Sequence, residues 1–264
     1  MLRTPQELVE IGFSRSRVVM MNEAHSRMLR CVRTRNVGRS VLPTAHELGV
    51  RHLAMEALTV EFAQECNQTR RVRQESEGYL AQPEMQALIQ AALDLGWTLI
   101  AYEADDRAWI KERLGPFPTD EPKRHQYVRE VQKLLLGLEH TNWREREQAA
   151  NLTRSLSEMG DASKLLVWCG NNHLLKAEIE ELQWSPMGFR FRQLSQVDPF
   201  TIDQTVTVLL SADQSTEGVE LLKAYADEVR QAGGTAGYLT GEGPEVFWSA
   251  HVDALLLSLD NLME

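Results

Sequence analysis

Two short stretches of this chain place imidazole, carboxylate and carboxamide groups directly after apolar runs: Asn22-Glu23-Ala24-His25 and Gly170-Asn171-Asn172-His173. Two more carboxylates, Glu56 and Glu103, close the apolar runs His52-Leu53-Ala54-Met55 and Trp97 to Tyr102. A histidine titrates near neutrality, so it can take or give a proton at cellular pH, and a nearby carboxylate raises its pKa and fixes its tautomer. Glu23 and His25 are two residues apart, which in an extended segment points both side chains the same way. His25 is therefore the expected base, with Glu23 or Glu56 as its partner. The set Glu23, His25, Glu56 and His173 is equally a ligand set for a divalent transition metal such as manganese or zinc. The blander reading makes His25 a helix cap or a surface side chain, and Asn171 and Asn172 a capping turn.

The elements that must position these groups follow from periodicity. Short apolar runs alternate with longer helical patterns, the rhythm of an α/β fold with a mainly parallel central sheet flanked by helices. Arg17 to Met21, His52 to Met55, Trp97 to Tyr102 and Lys164 to Cys169 read as strands whose carboxyl ends carry the polar residues. In such sheets the site lies outside those ends. Helices are expected from Gln82 to Leu95, His125 to Glu139, Trp143 to Glu158 and Thr216 to Gln231, and after the first motif to Leu48, with a break between Gly38 and Pro43. Thr4-Pro5-Gln6-Glu7 has the spacing of a capping box with proline at the first helical position. Further strands are expected at Phe189 to Leu194, Thr205 to Ser211 and Val252 to Leu257, and turns at Gly233-Gly234 and Gly241 to Pro244. One domain over residues 1–264 is expected, with the motifs between about 15 and 180.

A formal charge of −10 gives no attraction to nucleic acid or to an anionic membrane surface, so a small-molecule substrate is the expected partner. No apolar run approaches the roughly 18 to 20 residues that span a bilayer, and the amino-terminal residues read as a helix rather than a leader, so the expected location is cytoplasmic. Cys31, Cys66 and Cys169 fit neither a disulfide framework nor a zinc knuckle and read as buried thiols. Arg27, Arg30, Arg33, Arg35 and Arg39 follow the first motif. One or two of them, Arg33 foremost, suit an anionic substrate group, while the rest read as a solvated helix face. Asp105-Asp106 reads as a helix N-cap. The apolar run Val252 to Leu257 could pair between chains, which leaves an oligomer open.

The motifs, in this order, resemble those of the erythromycin-esterase-like, ChaN-like and Tiki/TraB superfamily. The resemblance rests on Glu23-Ala24-His25, on Met55-Glu56 and Tyr102-Glu103, on the arginine-bearing helix Arg146-Glu147-Gln148-Ala149-Ala150-Asn151-Leu152, and on Val167-Trp168-Cys169-Gly170-Asn171-Asn172-His173. It implies the α/β fold and a hydrolase of an ester or amide in which His25 activates water, Glu23 and Glu56 set its charge and His173 aids the attacked carbonyl. Arg33, Glu103, Arg146, Asn151 and Asn172 would bind the substrate. The superfamily also has a haem-binding branch, for which Tyr79 and Tyr102 are the candidate iron ligands here. Two departures stand out: Asn22 replaces the family's glycine, and the Thr59 to Gly78 and Arg107 to Asn142 segments are too short for the lid of a macrolide esterase.

Overall fold

The computed structural model describes residues 1–23, 32–75, 78–206, 216–246 and 249–259. Its elements run α1 (Pro5–Arg15), β1 (Val18–Glu23), α2 (Val32–Glu47), β2 (His52–Met55), α3 (Val60–Thr69), α4 (Pro83–Asp94), β3 (Thr98–Ala101), α5 (Asp106–Leu114), α6 (Glu121–Leu135) and α7 (Leu138–Glu158). They continue through β4 (Leu165–Gly170), α8 (Met187–Ser195), β5 (Phe200–Asp203), α9 (Thr216–Gln231), β6 (Thr235–Leu239) and β7 (Ala254–Ser258). One sheet of order β3-β2-β4-β1-β5-β7-β6 results, parallel throughout except for the final pair β6 and β7. The α/β class expected from the alternation of apolar runs and helices is the one observed.

Strand alternation divides the core into two layers. Val19, Met21, Leu53, Met55, Leu166 and Trp168 point to the layer built with α1 to α4, while Val18, Met20, Ala54, Leu165, Val167 and Cys169 point to that built with α7 to α9. Because both faces are covered, β1 and β4 are buried along their whole length, as parallel strands require. The exposed edge at β3 is blunted by one side chain. Asn67 of α3 donates to the Leu99 carbonyl (2.9 Å) and accepts from the Leu99 amide (2.8 Å), standing where a further strand would pair.

The amino-terminal capping box is formed as expected: Thr4 caps the Glu7 amide and Glu7 reaches back to the Thr4 amide. Three expectations need correction. First, α2 continues through Gly38 and Pro43. Pro43 faces solvent, where water can take the carbonyl it leaves without a donor, and Gly38 is buried because its bare Cα seats the Trp168 ring. A Cβ at residue 38 would lie 2.6 Å from Trp168 Cη2. Gly38→Ala is therefore expected to cost about 1–3 kcal/mol by overpacking, read as a lower urea midpoint with a change in tryptophan emission.

Second, Phe189 to Leu194 belongs to helix α8, not to a strand. Its buried residues Met187, Gly188 and Phe191 follow a helical period, and Gly188 packs against the carbonyls of Leu174 and Leu175 where a side chain would not fit. Third, an unanticipated strand, β5, precedes the stretch Thr205 to Ser211 where a strand was expected. Thr205 and Val206 lie beyond its end, and 207–211 fall outside the described residues. β6 was not anticipated, and β7 is not an edge, since it is paired on both sides by β5 and β6.

Candidate active site at the strand ends

The carboxyl ends of β2, β3 and β4 bring together three of the residues singled out by sequence. Glu56 follows β2, Glu103 lies two residues beyond β3, and His173 sits in a short 3-10 turn after β4. They are joined by two neighbours on α7 that sequence reasoning missed, Arg144 and Glu145. Arg144 donates to Glu103 through Nε (2.9 Å) and Nη2 (2.6 Å) and to Glu56 Oε1 through Nη2 (2.6 Å). Glu56 Oε1 also lies 3.5 Å from His173 Nε2, and Glu145 Oε1 stands 2.5 Å from His173 Nδ1. The result is an alternating chain of charges, Glu103, Arg144, Glu56, His173 and Glu145, across the strand ends.

Each of the three carboxylates is fixed by a further contact. Glu56 Oε2 accepts from the Gly170 amide at 2.6 Å, Gln148 donates to Glu103 at 2.9 Å, and Glu145 Oε2 accepts from the Met187 amide at 2.5 Å. Burial opposes a charged imidazole, but Glu145 and Glu56 outweigh it and raise the His173 pKa to about 9. His173 is thus an imidazolium at neutral pH. Its Nδ1 is ion-paired with Glu145 at 2.5 Å, whereas the 3.5 Å separation at Nε2 is long for a hydrogen bond and leaves that proton without a short acceptor. Burial also works against Arg144, and Glu56 with Glu103 overcomes it and holds its pKa above the ordinary arginine value.

Glu23 lies on the other side of β1, facing α2. Arg35 clamps it with two parallel bonds of 2.8 and 2.9 Å, and the Trp168 indole donates to it at 3.1 Å. Arg35 is therefore not part of a solvated helix face, as sequence suggested for most of the arginines there. Its side chain is 3% exposed. The departure at Asn22 also has an account. Its carboxamide donates to the Asn171 carbonyl (2.7 Å) and to Asp203 (2.8 Å) and accepts from the Gln204 amide (2.7 Å), tying the ends of β1, β4 and β5 together. The sharp turn after β4 falls at Asn171, with φ +25°, rather than at Gly170, which completes the strand.

The remaining candidates separate. Asn151 donates to the carbonyls of Tyr102 and Glu103 (both 3.3 Å), so it positions the end of β3. Asn172 lies inside the 3-10 turn, where its backbone carbonyl accepts from the Leu175 amide (3.1 Å), and the turn has no side-chain cap bond. Arg146 points away on the solvent side of α7, 59% exposed and paired with Glu147, and Arg144 takes the place in the site expected of it. Arg33 lines a shallow pocket of about 220 Å³ with Asn36, Ser40 and Gly233, toward the β6 edge of the sheet. Asp105 is the N-cap of α5, as expected. His25 lies outside the described residues, as do Arg27, Arg30 and Cys31.

A signal for Arg144 and Glu145 was present in the sequence. The buried stripe of α7 runs through Leu156, Leu152 and Ala149, and the same period carried back toward the amino terminus reaches Gln148 and Glu145. Polar residues on an apolar stripe mark a buried network.

As a metal site the described donors fit poorly. Arg35 holds both oxygens of Glu23, Arg144 and the Gly170 amide hold those of Glu56, and among the described residues no group of three or more His, Cys, Asp or Glu side chains is placed to hold an ion. Burial pushes the Cys169 thiol well above its usual pKa, which keeps it from acting as a thiolate.

No protein-family model and no curated protein sequence matches this chain. Among solved structures, an erythromycin esterase mutant in its open conformation is similar at 12% identity, over 95% of this chain and 92% of that one, with a TM-score of 0.56. The haem-binding ChaN of Campylobacter jejuni is similar at 9% identity, over 96% and 91% of the two chains, with a TM-score of 0.48. The type III effector HopBA1 is similar at 14% identity, over 97% and 95%, with a TM-score of 0.48. The fold is of the erythromycin-esterase-like type that the motifs resemble.

Proposed function

We propose that this chain hydrolyses an ester or amide bond of a small molecule, with His173 as the acid that meets the developing negative charge. The observation that carries this reading is the placement of His173 between two buried carboxylates, Glu145 Oε1 at 2.5 Å from Nδ1 and Glu56 Oε1 at 3.5 Å from Nε2, which favours the charged imidazole. In the proposed step a water molecule adds to the substrate carbonyl. Its proton goes to His25, the base implied by the motif resemblance. Nε2–H of His173 is donated to the carbonyl oxygen as charge builds and is passed on to the leaving group as the bond breaks. Arg144 holds Glu56 and Glu103 in register beside His173. Glu23, bound by Arg35, anchors the end of β1 from which the His25 segment departs.

The test is a hydrolysis screen with activated aryl esters, small lactones and peptides, comparing wild type with His173→Gln and His25→Ala. A loss of about 10²–10⁴ in kcat/KM is expected for each variant on the substrate that wild type turns over. Activity of wild type on none of them, or variants as active as wild type, removes the reading. Parallel runs with chelator and with added manganese or zinc report whether a metal contributes.

The haem-binding alternative has less support. The Tyr102 hydroxyl donates to the Trp168 carbonyl at 2.9 Å, and burial holds the phenols of Tyr79 and Tyr102 well above their usual pKa, which disfavours the phenolate an iron would need. A haemin titration is expected to leave the haem absorbance band unshifted.

A further inference from the structure

Between the strand that delivers Glu103 and the helix that delivers Arg144, the chain makes the helical pair α5 and α6, which the proposed hydrolysis does not use. A groove of about 560 Å³ runs between the two helices. Ile110, Pro116, Phe117, Tyr127, Val128 and Val131 form its apolar walls. One wall is rigid: Tyr127 donates to the Gly115 carbonyl at 3.0 Å, and its ring meets Phe117 edge to face at 5.3 Å. Helix α6 contributes no buried residue, and Phe117 and Val128 remain 59% and 46% exposed. Apolar surface of this extent, gathered in a concave site, is characteristic of a ligand pocket.

Charge selects the ligand. The chain carries a net charge of −10, yet the charged residues lining the groove are two cations, Arg107 and Lys111, one helical turn apart on α5. Arg107 is shared with Asp105, at 2.8 Å, whereas Lys111 has no ion-pair partner among the described residues. We propose that this groove binds a linear monocarboxylate, its alkyl chain between the Phe117 and Val128 walls and its carboxylate at Lys111 and Arg107. The site is separate from the strand-end cluster of Glu56, Glu103, Arg144 and His173 and does not depend on the hydrolase reading.

Calorimetric titration of the full chain with decanoate, decanol and decyltrimethylammonium tests it. Decanoate should bind tightest and the cation weakest. Lys111→Ala should weaken decanoate by about two- to fivefold, the range of an exposed ion pair, and leave decanol unchanged. Val128→Asp, at a position exposed enough to keep the fold, should weaken decanoate by at least tenfold, with unchanged circular dichroism. The proposal is overturned if decanoate does not bind, if the three amphiphiles bind alike, or if Val128→Asp binds as wild type does. It is equally overturned if binding occurs only to phosphatidylglycerol vesicles, or if light scattering shows a dimer that Val128→Asp dissociates and decanoate does not.

Discussion

Replacing Arg35 with methionine should lower the unfolding free energy by about 3–5 kcal/mol, because it removes the guanidinium that clamps a buried carboxylate. Glu23 is fully buried and Arg35 is 3% exposed, and the pair is clamped by two parallel bonds. Taken alone such a pair adds little net stability, since desolvating both ions offsets most of their attraction. Removing one partner exposes the whole desolvation cost of the other. The diagnostic result is therefore non-additivity: Arg35→Met combined with Glu23→Gln should be markedly more stable than Arg35→Met alone, by 1 kcal/mol or more on a rough scale. Urea denaturation of the four proteins measures this. Equal stability of the single and double variants would mean that Glu23 is relieved by protonation or water instead. Because Arg35 also packs over the Tyr79 ring at 4.8 Å, methionine, which fills similar space, is the suitable replacement.

The second large effect is one of pH. The His173 imidazole titrates near 6.5 when unfolded and near 9 in the folded protein, where Glu145 and Glu56 overcome burial. A raised folded pKa stabilises the native state fully below about pH 6.5, less as pH climbs, and not at all above about 9. The difference corresponds to on the order of 3 kcal/mol. Wild type should therefore lose stability between pH 7 and pH 10 by an increment that His173→Gln lacks. If His173 is the acid of the reaction, kcat/KM should fall on an alkaline limb near the same pH. Glu145→Gln keeps an acceptor for the Met187 amide but removes the charge behind Nδ1. It should move that limb toward neutrality and shrink the pH-dependent part of the stability. A limb that stays in place would assign it to another group.

Several features were legible because they depend on neighbours in sequence. The Thr4 to Glu7 cap, the strands that run up to Met21, Met55 and Ala101, and the helix before Gly96 all have local causes in capping, alternation and helical period. Misreadings arose where a distant partner overrode the local rule. Gly38 does not break α2 because Trp168 of β4 needs the space. Phe189 to Leu194, with its mixed pattern, is helical because Gly188 docks on the Leu174 and Leu175 carbonyls. β6 was hidden because Gly237, an unpromising strand residue, is accommodated where the Leu255 carbonyl approaches too closely for any Cβ.

The same division holds for the site. By itself the sequence determined that carboxylates and imidazoles stand at strand ends, since the apolar runs that precede them form parallel strands and their carboxyl ends lie at one edge of the sheet. Only the tertiary structure decided how they pair. The side on which each strand-end side chain emerges sends Glu23 toward α2 and Arg35, and sends Glu56 toward α7 and Arg144. Which arginine of α7 enters the site, Arg144 rather than Arg146, is set by a helix rotation of two residues, about 200°, and only the packing of Ala149, Leu152 and Leu156 in the layer shared with α8 and the sheet fixes that rotation.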